Sequence, residues 1–300
     1  MKIAIAGLGR MGMQIARKLS EDGHSVIAHN RSPEKVDEAS TYGAEKAYSK
    51  QDVVAAFDGE QAVLWLMVPA DVIEDELNSW LDILPTGSIF VDGGNTDYRM
   101  TRKHAELVKE RGSQLLDSGT SGGVWGYQRG FSMMIGGDTD TFTTIEPIFK
   151  TLAQPTGGYQ HFGDPGSGHY VKMVHNAIEY GMMESLAEGY RMLKEGPYSN
   201  IDLKAAGDVW QNNSVITSWL NELTRDAIAE NPNLDGIDGY VAESGEARWT
   251  IETAKELGIP LPSIEASFDV RLASQKGETN FATKLLSAMR NKFGGHTLNK

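Results

Sequence analysis

The chain has 300 residues, 40% of them hydrophobic and 23% charged, with a net charge of −13 at pH 7 and no cysteine. That size suits two domains, and that composition suits a globular protein. The acidic balance argues against nucleic-acid and anionic-membrane partners, and the missing cysteines exclude disulfides, thiolate nucleophiles and Cys-ligated metals.

Residues 2–6 open the chain as a short apolar strand, without the basic and long apolar regions of a signal peptide. No apolar run approaches the ~20 residues that span a bilayer, so a cytoplasmic location is expected. Residues 10–22 carry a helical pattern and 25–29 a second apolar run. Residues 61–68 read as a fully buried strand and 88–91 as a shorter one, with helices at 71–84 and 97–112 and a strand at 114–117. Residues 131–136 and 158–162 are candidates to complete the sheet. This alternation predicts a parallel sheet covered by helices on both faces. After Gly168 strand signals nearly vanish, and helices are expected at 169–194, 202–210, 215–229, 243–256 and 262–291. The loop-like Asp164-Pro165-Gly166 marks the boundary. The domains are therefore read as 1–164, α/β, and 165–300, all-α.

Gly7-Leu8-Gly9-Arg10-Met11-Gly12 matches G-x-G-x-x-G between the first strand and the first helix. Glycines there allow a tight turn and a close backbone approach to pyrophosphate, which the helix N-terminus then holds. The first domain is thus read as Rossmann-like and dinucleotide-binding. An NAD site usually carries Asp or Glu after the second strand, for the ribose 2′-hydroxyl. Here the residues are Asn30-Arg31-Ser32. Arg31 can pair or stack with a 2′-phosphate, and Asn30 and Ser32 can donate to it. Ser32 can equally cap the helix begun by Pro33. The reading favours NADP, with NAD possible. Val68 and Pro69, where the 61–68 strand ends, join the cofactor set. Two further glycine loops follow strands, Asp92-Gly93-Gly94-Asn95-Thr96 and Ser118-Gly119-Thr120-Ser121-Gly122-Gly123, where ligands bind in doubly wound sheets.

The stretch 166–184 reads as the start of a helix with chemistry along one side. Lys172, His175, Asn176, Glu179 and Tyr180 fall within an arc of roughly 140° at about 100° per residue. Val171, Val174, Ala177, Ile178 and Gly181 fill the opposite arc and are expected to face a core. A base, an acid and three neutral hydrogen-bonding groups share one surface. A solvated face is the alternative.

Together these motifs resemble the decarboxylating 6-phosphogluconate dehydrogenases of the β-hydroxyacid dehydrogenase superfamily. The carrying residues are Gly7–Gly12, Asn30–Ser32, Asp92–Asn95, Ser121–Gly123, the run Gly168–Asn176 on to Glu179-Tyr180, and Phe293-Gly294-Gly295-His296. The likeness covers essentially the whole chain, which has the length of the family's short form. The resemblance implies Lys172 as general base and Glu179 as general acid. It places Asn95, Ser121, Gly122, Gly123, His175 and Asn176 around the sugar acid and nicotinamide, with Tyr180 and Arg271 on the substrate phosphate. Arg290 and His296 would reach across a subunit interface of a homodimer or homotetramer. One departure stands out: Ser244 occupies the position of a phosphate-contacting Lys in longer relatives, and Arg248 is a candidate to compensate.

The implied reaction oxidises the C3 hydroxyl of 6-phosphogluconate, loses CO2 from the 3-keto acid, and protonates the enediol to ribulose 5-phosphate. Lys172 can take the hydroxyl proton only when neutral, which demands desolvation or nearby positive charge. A β-keto acid is its own electron sink, so no metal is expected. Two alternatives remain: a dehydrogenase of a small unphosphorylated β-hydroxy acid such as 3-hydroxyisobutyrate, and a nucleotide-sensing scaffold without catalysis.

Overall fold

The structure, a computed structural model, describes residues 1–198 and 200–295. It comprises two compact units, Met1–Met173 and Val174–Lys300. The first runs β1 (Lys2–Ala6), α1 (Arg10–Glu21), β2 (Ser25–His29), α2 (Pro33–Ser40), β3 (Glu45–Ala47), α3 (Lys50–Phe57), β4 (Val63–Leu66), α4 (Ile73–Leu81), β5 (Ile89–Asp92), α5 (Tyr98–Glu110), β6 (Gln114–Ser121), α6 (Gly126–Arg129), β7 (Ser132–Gly136), α7 (Thr139–Ala153) and β8 (Gly158–His161). The strands form one sheet in the order β3-β2-β1-β4-β5-β6-β7-β8.

Both faces of this sheet are covered, which is why its central strands read as unbroken apolar runs. Ile3, Ile5, Val63 and Trp65 point into one core with Ile15, Leu19 and Phe149. Ala4, Ala6, Leu64 and Leu66 point into the other with Leu77, Trp80 and Phe90. The alternation follows from the two-residue period of a strand.

The expected all-parallel sheet holds except at one junction, where β7 runs antiparallel to β6. Only residues 122–131 join the two strands, and a parallel crossover needs a dozen residues or more. The short, polar β3 and the helices α3 and α7 carry too weak a pattern to be anticipated.

Helix α8 (Ser167–Glu195) begins in the first unit and continues into the second. The second unit then holds α9 (Leu203–Gln211), α10 (Trp219–Glu230), α11 (Glu246–Leu257), α12 (Pro262–Ser274) and α13 (Phe281–Gly294). The helix expected at 262–291 is two helices. Gly277 takes φ +93 between them, and Asn280 restarts the chain by accepting the Ala282 and Thr283 N–H groups in a capping box. Among the described residues no helix is long and apolar enough to cross a membrane.

Candidate active site

In the first unit, the loops after β1, β2, β4, β5 and β6 lie along the carboxyl edge of neighbouring strands. The strand order reverses at β1, the place where doubly wound sheets bind ligands. Gly7 has φ +101, and a Cβ there would lie 2.4 Å from the Met67 carbonyl oxygen. A Cβ at Gly12 would lie 2.0 Å from the Gly7 carbonyl oxygen, whereas nothing comes within 4 Å of one at Gly9. The loop is therefore packed from below and open above Gly9, which is the N-cap of α1. That cradle fits a pyrophosphate, with Leu8, Gly9, Arg10 and Met11 around the helix start. Gly12→Ala should push α1 off β1 and weaken dinucleotide binding at least tenfold, or about 1.4 kcal/mol. Titration calorimetry with NADP and NAD checks this.

Asn30 ties this loop to the end of β2: its Oδ1 accepts the Leu8 N–H at 2.9 Å, and its Nδ2 donates to the Ser32 carbonyl at 3.4 Å. Ser32 is the N-cap of α2, yet its hydroxyl makes no capping hydrogen bond. Arg31 is exposed. Val68 and Pro69 follow β4, beside the Asp92 loop, where a Cβ on Gly94 would lie 2.7 Å from the Val68 carbonyl. Buried Asp92 shapes that loop by accepting the Gly94 N–H at 3.0 Å and the Thr96 hydroxyl at 2.9 Å. Asn95 is left exposed at its tip. Ser121, Gly122 and Gly123 follow at the end of β6, all half-buried.

The start of α8 is pressed against β6 and β7 backbone to backbone. A Cβ on Gly168 would lie 2.4 Å from the Met134 carbonyl, and one on Gly119 would lie 2.3 Å from the Cβ of Lys172. Asp117 of β6 caps the helix: its Oδ1 and Oδ2 each accept a backbone N–H at 2.7 Å, from Gly166 and His169. Burial pushes the Asp117 carboxyl pKa up. Residues 118–121, expected to begin a glycine loop, continue β6 instead, and the capping role of Asp117 escapes sequence reasoning, although a carboxylate after Leu115-Leu116 breaks an apolar strand and is a signal.

Helix α8 corrects the expected face. Lys172 is 6% exposed and Tyr180 4%, whereas Ile178, expected in the core, is 51% exposed. Glycines 119 and 168 draw the Lys172 side onto the sheet, and in the second unit Arg271 covers Tyr180. Lys172 and Glu179 lie two turns apart, roughly 10 Å along the same side of the helix.

In the second unit, the Tyr180 ring lies 3.2 Å under the Arg271 guanidinium. Its hydroxyl accepts the Ser244 N–H at 3.3 Å. Arg271 is 2% exposed and Arg290 9%. Arg271 makes only long hydrogen bonds, to the Ala242 carbonyl at 3.4 Å and the Met183 sulfur at 3.6 Å. Burial, reinforced by the charge of Arg290 and opposed by Tyr180, pushes the Arg271 pKa down to about 10. Burial lowers that of Arg290 as well. Arg290 lies within electrostatic reach of Tyr180 and Glu179 of its own chain. Arg248, the candidate to compensate for Ser244, donates to Glu243 Oε1 at 2.7 and 3.2 Å. His296 lies outside the described residues. Asn176 donates to Glu246 Oε1 at 2.8 Å, and its Oδ1 lies 2.9 Å from His175 Nδ1.

Buried Glu184, a turn beyond Tyr180, has its pKa raised from 4.5 to about 7 by burial and then by Glu188, against Arg271. Its contribution to stability is present below about pH 4.5 and is lost as pH rises through about 7. Glu184→Gln should therefore stabilise the protein at alkaline pH by on the order of 2–3 kcal/mol. Well below pH 4.5, where the carboxyl is protonated folded or unfolded, it should change little. Thermal unfolding across that range checks the slope.

A doubly wound sheet with a glycine cradle at its switch point, followed by a helical unit, defines a nicotinamide-dinucleotide oxidoreductase. Residues 2–163 match the NAD binding domain of 6-phosphogluconate dehydrogenase, and residues 168–284 match the C-terminal domain of the same enzyme. The chain belongs to the 6-phosphogluconate dehydrogenase family. It is 38% identical to the NAD(+)-dependent, decarboxylating 6-phosphogluconate dehydrogenase of Haloferax volcanii, over 99% of this chain and 98% of that one. The Plasmodium falciparum 6-phosphogluconate dehydrogenase has the same fold at TM-score 0.83 and 26% identity, over 96% of this chain and 70% of that one. A Mycobacterium tuberculosis 3-hydroxyisobutyrate dehydrogenase shares the fold at TM-score 0.73 and 21% identity, over 95% and 97%.

Proposed function

We propose that this chain catalyses oxidative decarboxylation of 6-phospho-D-gluconate to D-ribulose 5-phosphate and CO2, with NADP as hydride acceptor. The observation that carries the substrate is the pair of buried arginines, Arg271 and Arg290, beside Tyr180. Neither forms an ion pair among the described residues; Glu179, Glu184 and Glu246 act on them only at longer range, and two buried cations this close together call for an anion. A substrate phosphate supplies it, and the planar guanidinium binds two of its oxygens at once. A small unphosphorylated β-hydroxy acid would leave both cations unmet.

Bound nicotinamide supplies the hydride acceptor. The chain's residues do the rest. Lys172, once neutral, takes the proton of the C3 hydroxyl. The ammonium so formed stabilises the ketone oxygen and then the enolate as CO2 leaves. Glu179 delivers a proton to C1 of the enediol. Asn95, Ser121, Gly122, Gly123, His175 and Asn176 orient the sugar acid. Lys172 and Glu179 together also argue against a non-catalytic scaffold.

For the cofactor, β2 ends without Asp or Glu, and Arg31 and the uncommitted Ser32 hydroxyl suit a 2′-phosphate. Asn30 also serves the glycine loop, where its Oδ1 accepts the Leu8 N–H. The Haloferax volcanii relative, named as NAD(+)-dependent, favours NAD as a second reading. One experiment tests both points: purified protein with 6-phosphogluconate and either NADP or NAD, following reduced cofactor and CO2. Equimolar reduced cofactor and CO2, faster with NADP, is expected. No CO2 with either cofactor would remove the proposal.

A further inference from the structure

We propose that Glu246 is a positioning residue that sets which nitrogen of the His175 ring carries the proton. The inference rests on the reading that His175 faces the sugar acid. Its core prediction is measured without substrate, so it fails or survives separately from that reading.

Glu246 opens α11 after Gly245, a residue with no side chain to cap the helix. A carboxylate at that end of a helix is favoured by the partial positive charge of the unpaired N–H groups. The side chain is 2% exposed. Its Oε1 meets the Asn176 side-chain nitrogen at 2.8 Å, and its Oε2 is buried with no hydrogen-bond partner among the described residues.

The donor and acceptor inventory then fixes three groups in turn. Amide orientation and ring tautomer are ordinarily ambiguous, because heavy atoms alone do not distinguish them. A carboxylate offers only acceptors, so the Asn176 atom facing Glu246 is the NH2 group. The amide oxygen of Asn176 therefore faces His175 Nδ1, at 2.9 Å. An amide oxygen has no proton to give, so Nδ1 carries the hydrogen. In the neutral ring the lone pair is then at Nε2. His175 so held carries an acceptor at Nε2, suited to a hydroxyl that donates and unsuited to an anionic oxygen. Without Glu246 the Asn176 amide can turn over, and the opposite tautomer, with Nε2 as donor, becomes accessible.

The test is nitrogen NMR of the full-length protein labelled with 15N-histidine, at a pH where the ring is neutral. His175→Gln identifies the signal by its disappearance. The far-downfield resonance of an unprotonated nitrogen is expected at Nε2 of His175, with Nδ1 protonated. The opposite assignment in the unsubstituted protein overturns the proposal. Glu246→Leu removes the acceptor and should shift His175 toward the Nε2-protonated form. Its kcat should fall about 10- to 100-fold, the range for partners that orient a functional histidine, with dinucleotide affinity unchanged. Glu246→Gln keeps an acceptor oxygen for Asn176 and should retain both the tautomer and most of kcat. An unchanged tautomer in Glu246→Leu overturns the proposal. If that variant does not fold, loss of the Nδ1-protonated form in Glu246→Gln would count against the relay, and retention would support it.

Discussion

Lys172→Met should abolish turnover while leaving the dinucleotide site intact. Methionine keeps the length and apolar stem of lysine and removes only the amine. The position is buried, and its Cβ is held against Gly119 of β6, so a side chain of similar shape is tolerated. A positioned base contributes about 10²–10⁴ in rate. Because the ammonium also meets the developing enolate, kcat should fall at the upper end of that range. NADP affinity, measured by calorimetry, should move less than about twofold, or 0.4 kcal/mol. A variant retaining a tenth of the rate or more would remove Lys172 as the base.

Arg271→Met should separate substrate binding from stability in opposite directions. Losing a buried, charge-assisted, forked contact costs about 2–5 kcal/mol in comparable pairs, so KM for 6-phosphogluconate should rise at least about 30-fold. The same change should stabilise the ligand-free protein. Arg271 is 2% exposed, lies within reach of the charge of Arg290 and makes only long hydrogen bonds. Replacing a buried cation that has no ion-pair partner among the described residues with an apolar side chain of similar volume is worth roughly 1–3 kcal/mol. Inorganic phosphate should raise the Tm of the unsubstituted protein and not that of the variant. Turnover on 3-hydroxyisobutyrate, which has no phosphate, should be unaffected. If KM for 6-phosphogluconate stays unchanged, the phosphorylated substrate is lost as a proposal. The NMR test of Glu246 would still stand.

Much of the first unit is legible because its determinants are local. The glycines at 7, 9 and 12 announce a strand-to-helix turn: a neighbouring strand end demands Gly7, the Gly7 carbonyl demands Gly12, and Gly9 leaves the loop open above. The buried strands show as apolar runs because helices cover both faces of the sheet. The antiparallel β7 was not foreseen, because polarity of pairing depends on the ten residues that link it to β6. Gly277 and Asn280 carry the signals that split the last helix, and a continuous apolar pattern on either side of them masks the break.

The polar residues of α8 divide in the same way. Their 3.6-residue spacing determines that Lys172, His175, Asn176, Glu179 and Tyr180 share one side of a helix. Periodicity cannot tell which side is covered, and the expectation for Ile178 was reversed for that reason. Only the folded chain lays β6 against Lys172, places Arg271 over the Tyr180 ring, commits Arg248 to Glu243, and brings Glu246 to Asn176 from 70 residues away. The sequence by itself determined the cofactor cradle, the two-part architecture and the side of α8 on which Lys172, His175, Asn176, Glu179 and Tyr180 gather. The tertiary structure decided which of those groups are buried, paired or left seeking a ligand, because desolvation and charge pairing depend on what other elements lay upon them.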